Sequence, residues 1–178
     1  MGIVRDPQGV KLFASVIYRG EAARDNALSS LERAVGPIEE RSETISFTWT
    51  QYYEKEMGTD LMRLFVLFAP LVGREELPSV KKATNSIEKD LAVGGGRTAN
   101  IDPGYIALEH VILATTKGYS HRIYLGEGIH ADLTLMFHQG SYHPLQWTYP
   151  DYAMERAISL FNRWREIYKQ SLKMQARE

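Results

Sequence analysis

Two long apolar runs constrain the fold of this chain more than any other feature. VKLFASVIY (Val10 to Tyr18) and MRLFVLFAPLV (Met62 to Val72) are nearly continuous in hydrophobic residues. A strand with one wet face alternates apolar and polar residues. A short run without alternation reads instead as a strand buried on both faces. The segments around these two runs must therefore supply the cover.

The segment after the first run, GEAARDNALSSLERAVGP, puts Ala22, Leu28, Leu31 and Val35 at helical spacings, and Gly36-Pro37 stops it. TISFTWTQYY alternates, with Ile45, Phe47 and Trp49 opposite Ser46, Thr48 and Thr50, and predicts a strand. EKEMGTD makes the turn into the second run. REELPSVKKATNSIEKDLA carries Leu77, Val80, Thr84, Ile87 and Leu91 as a helical stripe, and Gly94 to Gly96 end it. RTANI then reads as a short strand. The order β-α-β-β-α-β is the split βαβ, or ferredoxin-like, arrangement: an antiparallel sheet with two helices on one face. With 178 residues the chain suits one domain. The expectation is a single α+β domain over 1–178, with a ferredoxin-like core at 1–101 and a hairpin-and-helix extension at 102–178.

Within the extension, Asp102-Pro103 has the form of a helix cap followed by Pro at the first helical position. Tyr105, Leu108, Val111, Ile112 and Thr115 then share a helical face. The reading favours helix, although VILATT is by composition a plausible strand. RIYL and IHADLTLMF flank Gly126-Glu127-Gly128 and predict a C-terminal hairpin. In that hairpin Arg122 opposes Asp132, Ile123 opposes Ala131, Tyr124 opposes His130 and Leu125 opposes Ile129. SYHPLQWTYPDY reads as an ordered loop. Met154, Ile158, Phe161, Trp164 and Ile167 then mark a final core helix capped by Asp151.

Composition removes several function classes. Lys and Arg total 21 against 22 Asp and Glu, for a net charge of −1, with no basic run, so no nucleic-acid partner is expected. The absence of Cys removes disulfides, Cys-ligated zinc and thiol catalysis. The longest apolar run, LFVLFAPLV, is too short to span a bilayer, and MGIVRDPQG lacks the form of a signal peptide. The expected location is cytoplasmic, with no membrane partner.

The chemistry-bearing residues concentrate between Val93 and Leu133. Gly94-Gly95-Gly96-Arg97-Thr98 follows a helix rather than opening one, so it is a helix stop and turn before it is a phosphate cradle. Neither a P-loop nor GxGxxG occurs. Asn100 and Asp102 share a strand face, and Arg97 enters at its end, where it can hold a carboxylate or phosphate. Lys117, His121 and Arg122 gather three potential cations within six residues. Five His lie between His110 and His143, but none has the helical spacing of a metal pair, so no metal ligand is assigned. No GxSxG distinguishes a serine nucleophile.

TQYYEKEMG, the K-x-x-TN stretch at Lys81 to Asn85, NIDPGYI, LATTK, HRIYL and WTYPDY occur here in that order. Together they resemble the bacterial and archaeal family catalogued as domain of unknown function 4416, over roughly Val10 to Trp164. The resemblance implies a small prokaryotic cytoplasmic protein and carries over no activity, cofactor or catalytic residue. Some relatives are labelled GTP-binding, but the usual GTPase motifs are missing here.

The reading is a pocket for a small anionic ligand, phosphorylated or nucleotide-like. Arg97, Lys117 and Arg122 hold the anion, and Asn100 and Tyr124 orient it. His121 or Asp102 would serve as general acid or base if there is chemistry. The alternatives are a non-catalytic oligomerisation or interaction module, with homo-oligomer formation compatible with either reading, and a metal-dependent hydrolase. No cofactor is implied, and the sequence names no reaction.

Overall fold

The computed structural model describes residues 2–177. Over these described residues the fold mixes α and β: one open, fully antiparallel sheet of nine strands, and four α-helices. The strands are β1 (Val10–Tyr18), β2 (Ile38–Arg41), β3 (Ile45–Ser46), β4 (Met62–Val72), β5 (Ala99–Ile106), β6 (His110–Thr115), β7 (Arg122–Gly126), β8 (Ile129–His138) and β9 (Ser141–Pro144). The helices are α1 (Glu21–Ala34), α2 (Glu54–Met57), α3 (Leu77–Asp90) and α4 (Glu155–Gln175). The sheet order is β2-β4-β1-β5-β6-β8-β7, with β3 also on β4 and β9 also on β8.

The two apolar runs, β1 and β4, lie side by side and are covered on both faces. Leu12, Ala14 and Val16 of β1 and Leu64, Val66 and Phe68 of β4 turn toward Leu28 and Leu31 of α1 and Leu77 and Ile87 of α3. Phe13, Phe65 and Leu67 turn the other way, onto Phe161, Trp164 and Tyr168 of α4. The expected layer of two helices on one face is therefore joined by a third helix on the other. Trp164 and Phe161 have no exposed surface, which corresponds to about 2–3 kcal/mol of hydrophobic stabilisation for each side chain.

Several local expectations need correction, among them the cap at Asp151: Met154 is the residue before α4, and Asp151 pairs with Arg63 instead. Residues 105–116 are not helical. They form the end of β5, a turn and β6, paired as Gly104↔Leu113, Tyr105↔Ile112 and Ile106↔Val111. Ile106, Ala107, Val111 and Leu113 are all buried, so the segment is covered on both faces rather than along one stripe. Asp102-Pro103 therefore lies within a strand and caps nothing. The TISFTWTQYY strand is reduced to Ile45–Ser46. The pairing with β4 expected of it is made mainly by β2, directly after Gly36-Pro37. EKEM forms a short helix, α2, instead of a plain turn.

The β7–β8 hairpin pairs Arg122↔Asp132, Ile123↔Ala131 and Tyr124↔His130 as expected. A bulge after Tyr124 then sets Gly126, rather than Leu125, opposite Ile129. Because Gly126, Glu127 and Gly128 all have positive φ, the chain closes this turn with two glycines.

Candidate functional site

The sheet is split between β5 and β6. Its ladder there runs only from Ile106 back to Gly104, although β6 continues to Thr115 and β5 begins at Ala99. Pro103 stands at the parting point and has no N–H to extend the ladder. Beyond it, the outward backbone groups of Ile101 would be orphaned. Side chains of α3 satisfy them: Glu88 accepts the Ile101 N–H, and Lys81 Nζ donates to the Ile101 carbonyl at 3.2 Å. A cavity of about 550 Å³ occupies this region of the sheet. That is within the usual range for small-molecule sites.

Register places the polar residues. Ile17 of β1 lies between Arg63 of β4 and Asn100 of β5, and Ser15 lies between Phe65 and Asp102. Arg63, Asn100 and Asp102 thus share the face that carries α4. On the β5 wall the side chains form a relay. Arg97 Nε donates to both carboxylate oxygens of Glu56 at 2.9 and 3.0 Å, and Arg97 Nη1 donates to Asn100 Oδ1 at 2.8 Å. Asn100 Nδ2 donates to Asp102 Oδ2 at 2.7 Å, and Lys81 Nζ donates to Asp102 Oδ1 at 3.1 Å. The Arg97 hydrogen bonds hold the Glu56 carboxyl below its ordinary range. Burial raises the Glu88 carboxyl, although the Ile101 N–H, Lys81 and Arg97 pull it back.

At the β4 end, Arg63 is only 2% exposed. Its Nε donates to Ser15 at 2.9 Å, its Nη1 pairs with Asp151, and its guanidinium lies 4.6 Å from the Tyr152 ring centroid. The opposite wall carries Asp132, 4% exposed. Behind it, Arg122 Nε donates to Asp132 Oδ2 at 2.8 Å, Arg122 Nη2 donates to the Tyr149 hydroxyl at 3.0 Å, and His121 Nε2 lies 3.5 Å from Asp132. Trp49, Tyr52 and Tyr149 form a partly exposed aromatic rim.

Of the residues singled out in the sequence, Arg97, Asn100, Asp102 and Lys117 line the cavity. Arg122 and His121 stand behind Asp132, and His121 stacks on Trp147 at 4.9 Å. Tyr124 is 62% exposed on the edge strand, beside His130, and is not among the lining residues. Gly94 and Gly95 take positive φ in a tight turn closed by Val93 and Gly96 and do not contribute to the wall, so the triplet acts as a turn. Asp102 has both oxygens engaged by Lys81 and Asn100, which leaves it poorly placed as a base. Sequence reasoning missed Ser15, Arg63, Lys81, Glu88, Asp151 and Tyr152. For Ser15 and Arg63 there was a signal: each is a polar residue inside an otherwise apolar run.

Among the described residues no three His, Asp or Glu side chains gather to hold a metal ion. Among the described residues no helix is long and apolar enough to cross a membrane.

Fold and site together define an α+β protein with a polar, aromatic-rimmed cavity at a split in an antiparallel sheet. The chain belongs to the family described as domain of unknown function 4416, whose model matches residues 8–168. Neither the curated proteins nor the solved structures gave a match to it.

Proposed function

We propose that the cavity binds a small polar ligand carrying an anionic group, phosphorylated or nucleotide-like, with its ring against the aromatic rim. One observation carries this reading. Of the six separated segments whose sequence resembles the family, five contribute lining residues: Tyr52 and Tyr53; Lys81 and Asn85; Asn100 and Asp102; all of LATTK; and Tyr149 to Tyr152. Segments far apart in the chain are thus brought together around one polar hollow.

The charges narrow where an anion would sit. The four cations in the wall are Arg63, Lys81, Arg97 and Lys117. The first three are paired with Asp151, with Asp102, and with Glu56 and Glu88 respectively. Among the described residues Lys117 has no carboxylate within salt-bridge distance, and its Nζ lies 5.3 Å from the Tyr52 ring centroid. The anion of the ligand therefore belongs at Lys117, while Arg97 acts indirectly by neutralising Glu56 and Glu88, and Arg122 by neutralising Asp132. The β1-α1-β2-β4-α3-β5 unit, with strand order β2-β4-β1-β5 and α1 and α3 on one face, supports a ferredoxin-like core that serves as scaffold for the site.

Thermal shift with phosphate, sulfate and nucleotides tests the reading. Stabilisation of the wild type is expected, with affinity falling about tenfold in Lys117→Ala, as for the loss of one charged hydrogen bond. No stabilisation by any of these anions would reject the anionic ligand and favour the interaction-module reading, for which the exposed Ile123, Tyr124 and Leu125 on edge strand β7 are the natural surface.

A further inference from the structure

We infer that the β8–β9 hairpin carries a binding site for a soft metal ion, copper(I), made by the imidazoles of His138 and His143 and the thioether of Met136. The site is independent of the cavity and lies on the other face of the sheet. Register puts it there. Leu135 and Phe137 of β8 and Tyr142 of β9 turn toward α4. Met136, His138 and His143 alternate with them and so emerge on the face of α1 and α3. Those helices leave them open: Met136 is 42% exposed, His138 is exposed and His143 is half-buried. Met136 stands directly opposite His143, and His138 follows two residues further along β8.

The two imidazoles are already brought together. Their rings stack with centroids 3.8 Å apart and planes 14° from parallel. Two metal–nitrogen bonds of about 2.0 Å meeting at a trigonal angle need nitrogens about 3.5 Å apart, so the stack holds the rings near the required span. One tautomer is set as well. His143 Nε2 lies 3.1 Å from the His138 carbonyl oxygen, which can only accept, so Nε2 carries the proton and Nδ1 keeps its lone pair. A metal-ligating imidazole is commonly oriented in this way, by donating its other N–H to a carbonyl. Directly opposed residues have Cβ atoms about 5 Å apart, which brings the Met136 sulfur within reach of the His143 ring.

The donor set selects the ion. Among the described residues no carboxylate or third His joins the pair, so a hard cation such as magnesium or calcium finds no oxygen ligand here. Zinc sites draw on Cys, His, Asp and Glu rather than on a thioether. Imidazole suits copper, and thioether sulfur favours its monovalent form. Three neutral ligands leave the single charge of the ion uncompensated, which an exposed face tolerates because water screens it. His110 of β6 flanks Met136 on its other side, but its Nε2 lies 3.5 Å from the Tyr105 hydroxyl and is turned to that contact.

The test titrates the full chain anaerobically with copper(I) against a chromophoric copper(I) chelator, with a parallel titration of zinc. Wild type should withdraw one copper(I) per chain. His138→Ala and His143→Ala should each weaken copper(I) binding by about tenfold or more. His138 is exposed, so His138→Ala should melt with wild type and keeps the test open should His143→Ala lower stability. Met136→Leu conserves volume and should weaken copper(I) by about tenfold while leaving the weaker zinc binding unchanged. His110→Gln should bind copper(I) as wild type does. Failure of wild type to withdraw copper(I), or unchanged binding in His138→Ala, overturns the site. So does a Met136→Leu chain that binds copper(I) as before, or one that loses copper(I) and zinc alike, since the thioether is then no ligand. A loss in His110→Gln as large as in His143→Ala would mean that the ion is shared along a row of imidazoles, and would overturn the three-ligand site as well.

Discussion

Strand β5 is treated in two different ways along its length. From Gly104 to Ile106 it is zipped to β6 by an ordinary ladder. From Asn100 to Pro103 its outer edge faces α3, and the Ile101 backbone groups are satisfied by Glu88 and Lys81. The zipped part is apolar on both faces and tolerates no extra atom. The split part is polar, charged and open to the cavity. The contrast teaches that a sheet can host a site without a long loop, provided that side chains take over the backbone groups the missing pairing abandons.

The largest expected effect breaks the zipped part. A Cβ at Gly104 would lie 2.2 Å from the Ile112 carbonyl oxygen and 2.7 Å from the Phe13 ring, and neither can retreat. Gly104→Ala should cost about 3 kcal/mol, read by urea unfolding. A loss below about 1 kcal/mol would mean that β5 and β6 do not approach so closely at Gly104.

The next effect sharpens the split part. Glu88→Ala leaves the Ile101 N–H without its acceptor and should cost about 2 kcal/mol, whereas Glu88→Gln keeps an acceptor and should cost less. Burial raises the Glu88 carboxyl in the folded state, so the folded protein holds this proton more tightly than the unfolded chain does. Wild type should therefore lose stability relative to Glu88→Gln as pH climbs from the ordinary carboxylate range through the raised folded value. Below that range the difference should be constant. The opposite slope would show that Glu88 is stabilised as an anion.

The smallest effect is expected at the far edge. Ile123 is 67% exposed on β7, so Ile123→Thr should change stability by less than about 0.5 kcal/mol. A larger loss, or one that depends on protein concentration, would reveal that a second copy covers β7.

Much of this was legible in the residues. The two apolar runs, the α3 stripe, Leu28 and Leu31 of α1 and the β7–β8 register from Arg122 to Tyr124 follow from periodicity. The β5–β6 hairpin did not, because Asp102-Pro103 imitates a helix start and Tyr105, Leu108, Val111 and Ile112 also fit helical spacing. What decided the matter was pairing with β1, which no local pattern records. The site was half legible for the same reason. Arg97, Asn100, Asp102 and Lys117 are close in sequence, whereas Arg63 and Asp151 come to the cavity only through strand register and the approach to α4.

The side-chain substitute at Ile101 also changes the clock of the molecule. Separating two laddered strands requires concerted rupture of several backbone bonds, an event of microseconds or slower. Swinging Lys81 or Glu88 off Ile101 breaks side-chain bonds alone, and although both residues are buried it leaves the β1–β5 ladder in place. The cavity wall at this point can therefore exchange its internal partners for those of an arriving molecule while the rest of the sheet stays shut.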